Sequence, residues 1–125
     1  MAYNILIVDD SETVRAVIAK AIEMSGTEVK TLFTACNGEE ALGILDREWV
    51  DLVFADINMP VMGGVELVKR MKADEDTKKI PVVIVSTEGS ATRIKALMDS
   101  GIAAFLRKPF TPEGLKSTID EIMGK

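Results

Sequence analysis

Five repeats of one alternation, a short apolar run followed by a segment of helical period, constrain this chain more than any other feature. Ile5-Leu6-Ile7-Val8 and Val82-Val83-Ile84-Val85 are apolar and β-branched on both faces, which suits strands covered by helices on either side. Leu52-Val53-Phe54-Ala55 has the same character. Ala104-Phe105-Leu106-Arg107 is a shorter, weaker strand, and residues 29–35 read as a less apolar one nearer a sheet edge. Between the runs the period changes. Val14, Val17, Ile18, Ala21 and Ile22 follow i, i+3, i+4, i+7, i+8, with Ser11 as N-cap and Gly26 as a stop. Thr111, Pro112 and Glu113 supply an N-cap, a first-turn proline and an early acid for a last helix lined by Leu115, Ile119, Ile122 and Met123. Residues 38–48, 64–73 and 90–100 complete five helices. Parallel neighbours need crossover connections, so the pattern predicts an α/β fold: a five-stranded parallel sheet with helices on both faces.

The length of 125 residues is that of one domain able to bury its own core without a staple. With 15 basic against 20 acidic residues the net charge is -5, the wrong sign for nonspecific attachment to phosphate backbones, and no nucleic-acid partner is expected. The chain contains no histidine, which excludes a Ser-His-Asp or Cys-His mechanism, a histidine metal ligand and a phosphohistidine within it. A single cysteine, Cys36, forbids an intrachain disulfide and a thiolate zinc cluster. No targeting segment is visible and the apolar runs are far too short to span a bilayer, so a cytoplasmic protein without a membrane partner is expected.

In a parallel sheet the carboxyl ends of all strands share one edge, where open α/β folds place their ligands. The first strand ends in Asp9-Asp10, the third in Asp56, the fourth in Ser86 and the fifth in Arg107-Lys108. Each alone reads as a solvated loop residue or a cap. Together they bring three carboxylates, a hydroxyl and an ammonium to one edge. Clustered carboxylates raise one another's pKa unless a cation offsets them, and oxygen donors without sulfur or imidazole suit a hard cation such as Mg²⁺. Such a cation beside a lysine and a hydroxyl is suited to phosphoryl oxygens. No P-loop motif is present to cradle a nucleotide.

At these residues the chain resembles, from end to end, the receiver domain of two-component response regulators, in its single-domain chemotaxis type. The matching motifs are Asp9-Asp10, Asp56-Ile57-Asn58-Met59-Pro60 with Gly64, Ser86-Thr87-Glu88, and Lys108-Pro109-Phe110. The resemblance implies a flavodoxin-like (βα)5 three-layer sandwich with strand order 2-1-3-4-5. It implies Asp56 as phosphoacceptor, and Asp10, Asp56 and the backbone carbonyl of Asn58 as Mg²⁺ ligands, with Asp9 acting through a metal-bound water. Lys108 would contact the phosphoryl group, with a cis Lys108–Pro109 bond, and Ser86 would bond a phosphoryl oxygen. Asn58 and Glu88 stand at positions that influence the lifetime of the phosphoaspartate, and Thr87 would crowd the site. Phe105 occupies the switch aromatic position; an ordinary core ring is the competing reading. Two departures from the family pattern stand out. Gly63-Gly64 replaces Asp-Gly, which removes an N-cap, and residues 26–37 run slightly long, which leaves the register of the second strand open.

The same resemblance implies a sensor histidine kinase or phosphotransfer protein as donor and a downstream target protein on the fourth helix, fifth strand and fifth helix. Ala91, Ile94, Met98, Phe105 and Arg107 are candidates for that face, with Ile94 and Met98 equally readable as core positions. Residues 91–125 carry 6 basic and 4 acidic side chains, a local balance of +2 against -7 elsewhere, which favours an acidic or amphipathic partner segment. No effector domain is expected over residues 1–125, and a monomer is expected, with a weak dimer on the same face as the alternative. An enzyme reading, a Mg²⁺-dependent phosphatase like the haloacid dehalogenases, requires an acid where this chain has Asn58. A flavin-binding module lacks its Ser/Thr-rich phosphate loop here.

Overall fold

The computed structural model describes residues 2–87 and 90–124. Ten elements alternate along the chain: β1 (Tyr3–Val8), α1 (Glu12–Met24), β2 (Val29–Ala35), α2 (Gly38–Arg47), β3 (Leu52–Ala55), α3 (Gly64–Lys72), β4 (Val82–Ser86), α4 (Ala91–Asp99), β5 (Ala104–Arg107) and α5 (Pro112–Met123). The strands form one sheet in the order β2-β1-β3-β4-β5, and every pair is parallel. This is the order the resemblance implies, and the weakly apolar β2 lies at the edge as its composition suggests.

Alternation within the strands builds two cores. Leu6, Val8, Val53, Ala55, Val82 and Ile84 face α2, α3 and α4, where Ala41, Ile44, Leu67, Val68, Met71 and Leu97 meet them. Ile5, Ile7, Leu52, Phe54, Val83 and Val85 face α1 and α5, against Ile18, Ala21, Ile22, Leu115 and Ile119. The central strands are therefore apolar on both faces because both faces are covered. Removing one such side chain from water contributes roughly 1.5–3 kcal/mol.

Caps fix where the helices begin, and hence where the sheet edge opens. Ser11 Oγ accepts from the Val14 N–H, Asn37 from Glu40 and Thr111 from Gly114, while Gly63 at the start of α3 offers no side-chain bond. The extra length before α2 is absorbed in the sheet: Tyr3 pairs with Val29 but Asn4 pairs with Thr31, so the register slips beside Lys30. Elsewhere the boundaries differ from the sequence reading by one or two residues at frayed ends, as with the extension of β1 back to Tyr3. Among the described residues, no helix is long and apolar enough to cross a membrane.

Candidate functional site

Ladder hydrogen bonds carry the acidic residues to the carboxyl edge. The Asp9 N–H donates to Ala35 O at 3.0 Å, and the Asp56 N–H donates to Val8 O at 3.1 Å, so both leave the sheet in line with their strands. One carboxylate oxygen from each of Asp9, Asp10 and Asp56 lies within 4.8 Å of the other two. Asp9 is 2% exposed, Asp56 half-buried and Asp10 exposed, so the cluster runs from the interior to solvent.

The Asp9 carboxylate is only half satisfied. Its Oδ1 accepts from the Ser11 N–H at 2.9 Å, but Oδ2 is buried without a hydrogen-bond partner. Lys108 Nζ stands 3.7 Å from that oxygen, close enough for Coulomb attraction and too far for a hydrogen bond. Lys108 is itself anchored, its N–H donating to Ser86 O at 2.9 Å, and the Lys108–Pro109 peptide is cis as expected. Ser86 is buried at the end of β4, and Thr87 beside it is exposed.

Asp56 Oδ1 accepts from the Ile57 N–H at 2.9 Å. Burial pushes the Asp56 pKa above its ordinary value; the Lys108 charge and the Ile57 N–H oppose this, while Asp9 and Asp10 add to it. A divalent cation among the three carboxylates would remove that repulsion and give the orphaned Asp9 oxygen a partner, directly or through water. Hard oxygen donors and an open, solvent-facing side fit Mg²⁺. Asn58 is exposed on the loop that follows Asp56, the position from which its backbone carbonyl is expected to contribute.

Two of the remaining expectations separate here. Phe105 is partly buried, pairs in register with Ile84 and packs against the core on the α2, α3 and α4 side. It also lines a groove with Ile94, Met98, Ala103, Ala104, Thr118 and Ile122. The core position of α4 belongs to Leu97, and Met98 is 46% exposed, so Ile94 and Met98 serve the groove rather than the α4 core stripe. Ala91 and Arg107 are exposed and stand outside the groove lining. Glu88 lies outside the described residues.

One contact at the site has no counterpart in the sequence reading. Arg15, one turn into α1, sends Nη1 back to the Asp9 carbonyl at 2.6 Å. Helical side chains lean toward the N-terminus, so a long cation in the first turn after the acidic pair was the available signal.

The sequence matches the family model for the response regulator receiver domain over residues 5–120. It is 34% identical over 122 residues to a chemotaxis protein CheY homolog of Campylobacter jejuni, covering 97% of this chain and 92% of that protein. Among solved structures, it is similar to the chemotaxis response regulator CheY4 of Vibrio cholerae, with TM-score 0.85, 32% identity and coverage of 98% and 99% of the two chains. The receiver domain of sensor histidine kinase PA1611 from Pseudomonas aeruginosa, described with a magnesium ion coordinated in its active-site cleft, shares the fold at TM-score 0.86 and 20% identity, each chain covered in full.

Proposed function

The chain belongs to the response regulator receiver family, a family of two-component signalling, and on that premise we propose that it is a phosphoacceptor switch in which Asp56 takes a phosphoryl group. The observation that carries this reading is the convergence of Asp9, Asp10 and Asp56 within 4.8 Å, with a buried, unpartnered Asp9 oxygen facing Lys108. Such an arrangement holds excess negative charge in readiness for a cation.

A carboxylate oxygen of Asp56 attacks phosphorus, forming an O–P bond as the P–N bond to a phosphohistidine donor breaks and its electron pair leaves on nitrogen. The donor is a sensor histidine kinase or phosphotransfer protein, since this chain has no histidine. Asp10, Asp56 and the Asn58 carbonyl would hold Mg²⁺, with Asp9 acting through a bound water, and the ion would supply charge neutralisation for the transferring phosphoryl group. Lys108 presents its ammonium to the same oxygens, and Ser86 offers a hydroxyl to one of them. The Ile57 N–H fixes the rotamer of Asp56, which positions the nucleophile before the donor arrives.

Phosphorylation replaces one carboxylate charge with roughly two negative charges, and new contacts to Ser86 and Lys108 bias the domain between two conformations. Phe105 responds to the movement of Ser86, and the groove it lines with Ile94 and Met98 between α4, β5 and α5 receives the downstream protein. Asn58, Thr87 and Glu88 govern how readily water reaches the phosphoaspartate. The protein acts in the cytoplasm and assists its own phosphorylation and dephosphorylation rather than turning over a substrate.

Intact mass after incubation with Mg²⁺ and a small acyl phosphate tests the reading. The wild type is expected to gain one phosphoryl mass and Asp56→Asn none. No gain in the wild type, or equal gain in both, refutes it. Sustained release of phosphate from a phosphomonoester would instead favour the phosphatase chemistry.

A further inference from the structure

The Asp10 carboxylate is exposed, and among the described residues no hydrogen bond holds it. Its aim toward Asp56 is therefore set by the backbone beneath it. That backbone is gripped from one side. Arg15 Nη1 donates to the Asp9 carbonyl at 2.6 Å, a short charge-assisted bond, and because the peptide unit is planar, holding that oxygen also orients the nitrogen and Cα of Asp10. On the other side the Ser11 N–H donates to Asp9 Oδ1 at 2.9 Å, so the turn between β1 and α1 is clamped across both acids.

We propose that Arg15 is a positioning residue for the acidic site, holding the Asp9–Asp10 peptide in the orientation from which both carboxylates can engage a divalent cation. This rests on the reading of Asp9, Asp10 and Asp56 as the Mg²⁺ site. Arg15 touches neither the cation nor the phosphoryl group. Its contribution passes through the carbonyl, as do other outer contacts that orient metal ligands.

The sign of the effect separates positioning from plain electrostatics. A guanidinium beside a cation site repels the cation, so by Coulomb's law alone its removal tightens Mg²⁺ binding. Loss of positioning weakens it. Mg²⁺ affinity is measured by titration calorimetry on wild type, Arg15→Ala, Arg15→Lys and Lys20→Ala. The last removes the same charge from an exposed site farther along α1, where Lys20 lies 3.9 Å from Glu23. Urea midpoints in chelator show that each variant is folded before titration.

Arg15→Ala is expected to bind Mg²⁺ about tenfold more weakly. Arg15→Lys, which keeps a donor on a flexible stem, is expected to fall between it and wild type, and Lys20→Ala to match wild type. Affinity in Arg15→Ala equal to or tighter than wild type overturns the proposal while leaving the metal site standing. So does an Arg15→Lys variant no tighter than Arg15→Ala. A wild type that binds no Mg²⁺ removes the metal site itself, and Arg15's role with it.

Discussion

Two substitutions of the same chemistry, Gly64→Ala and Gly43→Ala, are expected to move stability in opposite directions. A Cβ built on Gly64 would overlap the carbonyl oxygen of Asp56 and lie 3.1 Å from its carbon and 3.3 Å from Ile57 Cα. All three neighbours are backbone, so no side chain can swing aside. The turn between β3 and α3 must itself move, against the Gly64 N–H to Ile57 O bond of 2.9 Å and the Asp56 N–H to Val8 O bond of 3.1 Å. Overpacking of this kind costs about 1–3 kcal/mol and a weakened hydrogen bond about 1 more, giving about 2–4 kcal/mol. At Gly43, in the interior of α2, the nearest atom to an added Cβ is the mobile Arg47 Nη1 at 3.5 Å. There alanine is expected to gain about 0.5–1 kcal/mol from helix propensity.

Urea unfolding followed by far-ultraviolet circular dichroism reads both. With an m value of about 1.5 kcal/mol per M, the Gly64→Ala midpoint falls by about 1.3–2.7 M and the Gly43→Ala midpoint rises by about 0.3–0.7 M. The same displacement disturbs Asp56, so under the proposed phosphoacceptor role slower phosphorylation is expected to accompany the loss at Gly64. A Gly64→Ala midpoint at or above that of wild type would refute the argument that backbone crowding beneath Asp56 excludes a side chain.

Two further outcomes follow from strain and charge. Asp56 has a raised folded-state pKa, so its contribution to stability is fully present below the ordinary value of 3.8 and lost as pH rises through the folded value. In chelator, Asp56→Asn is therefore expected to be more stable than wild type near neutral pH, with the difference shrinking toward pH 3.8 in paired urea titrations; a gap that widens on acidification contradicts the sign. Val61 holds φ at 67° while 76% exposed, and the Met62 N–H donates to Pro60 O across it at 2.7 Å. A β-branched residue is strained there and makes little packing in return, so Val61→Asn should raise stability by about 1 kcal/mol, read from the same midpoints. An unchanged or lower midpoint would show that the turn holds no strain.

Much of this architecture was legible because the information is local and periodic. Runs such as Ile5-Leu6-Ile7-Val8, apolar on both faces, announce strands covered on both sides, and Ser11 and Thr111 stand where helix starts need an acceptor. Since parallel strands share a carboxyl edge, the order of Asp9-Asp10, Asp56, Ser86 and Lys108 along the chain was enough to gather them at one site. The position of β2 at the sheet edge was legible from its polar composition, but its register was not. One additional residue can be placed in a loop or in a bulge at similar cost, and the structure places it beside Lys30.

The sequence by itself therefore determined which elements form, at which sheet edge the acidic residues gather and which residue types meet there. The tertiary structure alone decided how satisfied those residues are. That Asp9 Oδ2 is buried without a hydrogen bond, that Lys108 stops 3.7 Å short of it, and that Arg15 reaches back to the Asp9 carbonyl are outcomes of packing between segments. So is the choice of Leu97 over Ile94 and Met98 for the α4 core, since neighbouring positions on a helix offer faces only a fraction of a turn apart. Periodicity specifies a face of an element. Distances of a few tenths of an ångström between groups on different elements are set when those faces pack together, and it is at that scale that a hydrogen bond, an ion pair and an unsatisfied oxygen become different things.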